Sequence, residues 1–146
     1  MGVPINYLAV LAATISSMIV GYVWYGPLFG KSWMAAMGID SMRMEQMKAE
    51  MKAKGAGKSY ALMFVGSLVM AFVLAHALVF ASAYLHASGI SAGLTAGFWN
   101  WLGFIAPVLF GSVLWEQKPM KLYYINVGYY LVTLCVMGMI LAAWPA

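Results

Sequence analysis

The sequence predicts an all-α membrane protein: a four-transmembrane-helix bundle with a cytoplasmic amphipathic helix between its first two spans. Three observations carry this prediction. Hydrophobic residues make up 64% of the 146-residue chain and charged residues 8%, whereas a water-facing domain carries about 25% charged residues. The charges are segregated, because residues 3–30, 59–115 and 122–146 contain no Asp, Glu, Lys or Arg. Those runs are also uniformly apolar rather than alternating every second residue, so they read as helices that satisfy their own backbone in lipid and not as barrel strands.

Crossing a hydrocarbon core of about 30 Å takes about 20 helical residues. The first run therefore holds one span, near 5–25, the 57-residue middle run holds two, near 60–84 and 92–114, and the last holds one, near 122–144. The Gly89–Gly93 stretch and Pro119 supply the breaks, and the whole chain, 1–146, forms one domain. The N-terminal run has no basic flank before it and exceeds the roughly 7–15 apolar residues of a signal-peptide core. It is expected to be a retained span.

The segment 31–58 differs in composition, with six methionines among nine charged residues. Met44, Met47 and Met51 recur at i, i+3 and i+7, Asp40 or Ser41 can cap a helix, and Gly55 can end it. This is the pattern of an amphipathic helix on the membrane surface or across the end of the bundle. Thioethers are soft ligands suited to Cu(I), but the segment has neither Cys nor His, so the methionines read as adaptable apolar contacts and no metal site is predicted. Gly57-Lys58-Ser59 resembles the end of a phosphate-binding loop, yet position 52 is Lys where that loop needs Gly, and no strand precedes it.

All twelve charged residues fall between spans one and two or between spans three and four, two loops on the same face. The eight Lys and Arg side chains make that face cytoplasmic and both termini external, as expected in a bacterial inner membrane. A net charge of +4 in so apolar a chain is no nucleic-acid footprint. A single cysteine, Cys135, excludes an internal disulfide.

Small residues recur every fourth position: Ala9, Ala13, Ser17 and Gly21 in span one, Ser67, Ala71 and Ala75 in span two, and Gly89, Gly93 and Gly97 in span three. Span four has a weaker set, Gly128, Cys135, Gly138 and Ala142. Such faces let helix backbones approach in lipid, either within one chain or between chains, so the expected partners are membrane lipid and this protein itself or another membrane protein. Most tryptophans and tyrosines flank the membrane boundaries as belt anchors. Trp99 and Trp101 lie inside span three instead.

Counting 1.5 Å per residue from the external ends brings Thr14, His76, Asn100 and Thr133 to a similar level, a candidate mid-membrane polar layer. An intramembrane histidine can relay protons, bind a metal or haem, or hydrogen-bond a neighbouring helix. The other histidine, His86, is ten residues away, so an axial pair is missing; no cofactor other than lipid is predicted, and hydrogen bonding between helices is the favoured role. The four acidic residues all lie in loops. With no carboxylate pair and no nucleophile beside a base, the sequence predicts no catalytic residues and a non-enzymatic protein.

The segments Gly21-Tyr-Val-Trp24-Tyr25-Gly26-Pro27-Leu-Phe29-Gly30-Lys31-Ser-Trp33-Met34, Gly97-Phe-Trp99-Asn-Trp101-Leu-Gly103-Phe104, Glu116-Gln-Lys118-Pro119 and Ile125-Asn126-Val-Gly128-Tyr129, with His76-Ala-Leu, are similar to a small bacterial membrane family catalogued as domain of unknown function 1761. The resemblance covers nearly the whole chain. It implies a four-span integral membrane protein and brings no activity, substrate or cofactor. It also puts weight on a cytoplasmic collar of Trp24, Tyr25, Pro27, Trp33, Glu116, Lys118 and Asn126, in which Pro27 ends the first span. The leading expectation is an accessory or scaffolding subunit of a homo-oligomer or larger membrane complex. The alternatives are a small-solute or ion carrier using the polar layer around His76, and a His76-dependent redox protein.

Overall fold

The computed structural model describes residues 2–144 and 146. Asn6 starts the first helix, accepting hydrogen bonds from the Leu8 and Ala9 backbone N–H groups at 3.1 Å, and α1 runs over Tyr7–Val23. Pro27 does not end this span. A proline ring clashes with the carbonyl four residues earlier in an α-helix, and the chain resolves the conflict by widening one turn: Trp24–Leu28 form a π segment, closed by the Phe29 N–H on the Trp24 carbonyl at 2.8 Å. The chain turns at Phe29, so the span extends to Leu28.

The expected amphipathic segment is two helices, α2 (Gly30–Ala36) and α3 (Ser41–Lys54), separated at Gly38, whose φ of +70° suits glycine. Asp40 caps α3 by accepting from the Arg43 N–H at 2.7 Å, and Gly55 at φ +78° ends it. Met44 and Met47 are half-buried, whereas the other residues of α3 are exposed.

Helix α4 (Gly57–Leu85) forms the second span. The third is α5 (Gly89–Asn100), a second π segment at Trp101–Ile105 and α6 (Ala106–Leu114). Here too a proline accompanies the widened turn, Pro107 just beyond it where Pro27 lies inside the first. Helix α7 (Met120–Ala143) is the fourth span, and these four stretches are each long and apolar enough to cross a membrane. No strand occurs among the described residues.

The bundle is organised around α7. Within its most apolar stretch 44% of residues are buried, against 28% in spans 1 and 2 and 11% in span 3. Its closest neighbour is α5, and glycine is the reason. A Cβ on Gly93 would land on the Gly138 carbonyl, a Cβ on Gly138 would land on the Gly93 carbonyl, and a Cβ on Gly97 would land on the Leu134 carbonyl. Lipid tails are as apolar as the side chains, so this backbone-on-backbone contact, rather than burial of apolar area, holds the pair. Ala13 and Ser17 of α1, with Ser67, Ala71 and Ala75 of α4, are buried at the bundle centre. Gly89 does not share the close-packing role expected of it. It is exposed at φ +75°, with nothing among the described residues within 4 Å of where a Cβ would stand, and serves the turn into α5.

Candidate functional site

The polar layer is divided. Thr14 and Thr133 are fully buried, whereas His76 and Asn100 are half-buried at the bundle surface. Nor do the four bond across helices as expected. The Thr14 hydroxyl donates to the Val10 carbonyl at 2.8 Å, the Asn100 amide to the Ala96 carbonyl at 2.9 Å, and His76 Nδ1 lies 2.9 Å from the Phe72 carbonyl. Each satisfies itself on the preceding turn of its own helix, the cheapest local solution in a medium without water. Thr133 Oγ1 is buried with no hydrogen-bond partner among the described residues. His76 packs its ring on Phe72, 4.4 Å between centroids. Replacing His76 by Phe should therefore change unfolding free energy by no more than about 0.5 kcal/mol, which a denaturation series in mixed micelles will measure.

The collar is built more tightly than the polar layer, from spans 1, 3 and 4. The Trp24 indole N–H donates to the Ile125 carbonyl at 2.9 Å, the Tyr25 hydroxyl to Asn126 Oδ1 at 2.9 Å, and the Trp101 indole N–H to the Val127 carbonyl at 2.8 Å. Three consecutive residues of α7 thus receive three side chains from two neighbouring spans. Gly128 makes room for this, since the Trp24 ring lies 3.1 Å from where its Cβ would stand. Trp33 of α2 packs edge-on against Tyr25, with 6.0 Å between centroids. Pro27 contributes through the widened turn that Trp24 opens. Glu116 and Lys118 lie apart on the turn before α7, where Glu116 is exposed and the Lys118 N–H bonds the Ser112 carbonyl at 3.1 Å.

Trp101 was not expected in the collar, although the sequence held a clue. Both π segments open Trp-x-Gly, at Trp24-Tyr25-Gly26 and Trp101-Leu102-Gly103, and each tryptophan is followed by a proline, Pro27 or Pro107. In both, the indole of the first residue reaches α7.

The surface carries a third feature. Spans 2 and 3 diverge to leave a groove of about 270 Å³, walled by Ala77, Ala81, Ala92 and Ala96 and bordered by Trp99 and Asn100. Trp99 is 62% exposed. The Asn100 Nδ2 donates to the Ala96 carbonyl on its own helix, and Ser82, Ser91 and Thr95 add hydroxyls to the same groove. Of the two uses open to a small-residue face, Gly93 and Gly97 serve packing within the chain, buried on α7; the next positions around the helix, Ala92, Ala96 and Asn100, border the groove.

No group of three or more His, Cys, Asp or Glu side chains suited to a metal ion occurs among the described residues. No curated protein and no solved structure matches the chain. The sequence model described as "Protein of unknown function (DUF1761)" matches residues 8–142, nearly the full length including all four spans and the collar, and on that match the chain belongs to the DUF1761 family.

Proposed function

We propose that this protein is a non-enzymatic membrane subunit that binds another transmembrane helix, from a second copy or from a larger membrane complex, in the groove between spans 2 and 3. The observation that carries this reading is the half-buried amide of Asn100 at the edge of a groove walled largely by small residues. A polar amide facing hydrocarbon is costly, and a small-residue wall admits a helix closely enough to satisfy it. Trp99, exposed inside the span rather than at its boundary, adds a large contact surface at the same place. The carrier reading depends on His76 joining the other polar residues, and its bond to the Phe72 carbonyl on its own helix does not support that.

In this reading the protein sits in a bacterial inner membrane with the charged loops in the cytoplasm and both termini outside, as the distribution of positive charge favours. A photo-crosslinking amino acid at position 99, activated in native membranes, should give a discrete protein adduct; the same group at Val69, 56% exposed on span 2, should react with lipid alone. Identical lipid-only products at both positions would overturn the proposal.

A further inference from the structure

At the charged end of the bundle a separate cleft of about 430 Å³ opens between spans 1 and 2, with Tyr129 of α7 in its lining. Its size falls in the range of about 300–1,000 Å³ typical of small-ligand sites, and it does not depend on the groove between spans 2 and 3. Tyr22, Tyr60 and Met63, at 78%, 59% and 54% exposed, stand where the cleft meets lipid. Gly21 leaves space for the Tyr129 hydroxyl, which lies 3.4 Å from the position of a Cβ there. Met51 of α3 borders the cleft at its water-facing end.

Among the described residues no charged side chain lines the cleft, but the chain beside it is rich in positive charge. Ser59 and Tyr60, both in the lining, belong to the first turn of α4. That turn follows Ala56, which offers no side-chain cap, and it contains no acidic residue, so its N–H groups carry the positive end of a 29-residue helix without local compensation. Lys58 adjoins Ser59, and Lys54 lies three residues beyond Met51 on the same face of α3. From Lys48 to Lys58 there are four lysines and one acid, Glu50.

We propose that this cleft is a specific site for an anionic phospholipid drawn from the leaflet at the charged end of the protein. An acyl chain lies against Tyr22, Tyr60 and Met63, while the phosphate sits at the start of α4 near Lys54 and Lys58. A zwitterionic lipid offers the same chain and phosphate but also a cationic amine, which the lysines repel. Charge therefore sets selectivity, and the apolar walls set retention.

The test is native mass spectrometry of the full chain released from nanodiscs holding equal amounts of phosphatidylglycerol and phosphatidylcholine. The wild-type protein should retain one phospholipid, with phosphatidylglycerol favoured by roughly tenfold. The double variant Lys54→Glu/Lys58→Glu should still retain lipid but lose that preference. Met63→Trp, which fills the cleft from an exposed position, should retain none while melting at the wild-type temperature in detergent. Equal retention of both lipids by the wild type would overturn the proposal, as would undiminished phosphatidylglycerol on Met63→Trp, or retention of a free fatty acid in place of a phospholipid. None of these results depends on whether a helix occupies the other groove.

Discussion

Gly97→Leu is expected to lose about 3 kcal/mol or more of stability, enough to prevent assembly of the native bundle. A leucine Cβ at that position falls on the Leu134 carbonyl, with the Leu134 carbonyl carbon 2.7 Å away. Backbone atoms cannot rotate aside as a side chain can, so α5 must move off α7 and take the Gly93–Gly138 contact with it. Gly66→Ala is the matched control. It lies in α4 with nothing within 4 Å of a built Cβ, and it should be neutral or gain up to about 1 kcal/mol of helix propensity. Unfolding in mixed micelles, followed by far-ultraviolet circular dichroism, separates the two. Equal stability of Gly97→Leu and Gly66→Ala would show that α5 and α7 are not in backbone contact.

Trp101→Ala should cost about 3 kcal/mol, because it removes both an indole packed against the buried core and a hydrogen bond between spans 3 and 4. Trp101→Phe retains most of the packing and should cost about 1 kcal/mol, the scale of one interhelical hydrogen bond in lipid. Trp24→Phe removes the equivalent bond from span 1 to the Ile125 carbonyl and should behave alike. The two tryptophans come from different spans and donate to different carbonyls, so the double phenylalanine variant should lose the sum of the single effects within about 0.5 kcal/mol. A phenylalanine variant as unstable as the alanine variant would assign the whole effect to the hydrogen bond; no loss in either would mean that the indoles do not hold the spans together.

The sequence discloses where this chain crosses the membrane far better than how its helices face one another, and the reason is physical. A run without charge long enough to span lipid declares itself by length and composition, which is why all four spans emerge within a few residues. Rotation about the helix axis is different, because in lipid both the inner and outer faces of a span are apolar. Span 4 has the weakest small-residue pattern of the four, yet it is the centre of the bundle, with Gly138 and Gly128 accepting an opposing glycine and an indole. The polar layer shows the same limit. Thr14, His76, Asn100 and Thr133 share a level by counting, but level does not fix direction, and backbone carbonyls one turn away satisfy three of them without any neighbouring helix.

Proline and glycine were partly legible. Gly93 and Gly97 were recognisable as sites of close approach, while Gly89, at the same spacing, serves a positive φ instead. Pro27 marked a disturbance correctly but not its form, since a widened turn and a helix end both relieve the clash with the preceding turn. Charge distribution likewise divides the chain into a charged end and an uncharged one, and the cleft and collar both lie toward the charged end.

The role proposed for the protein, binding another membrane helix through Asn100 and the alanine wall, is tested most directly by the mass of the protein particle extracted from native membranes into nanodiscs. The wild type should travel as an assembly larger than one 15.9 kDa chain, and Asn100→Leu should release it as single chains that melt at the wild-type temperature. Single chains for the wild type, with no second protein co-extracted, would contradict the account.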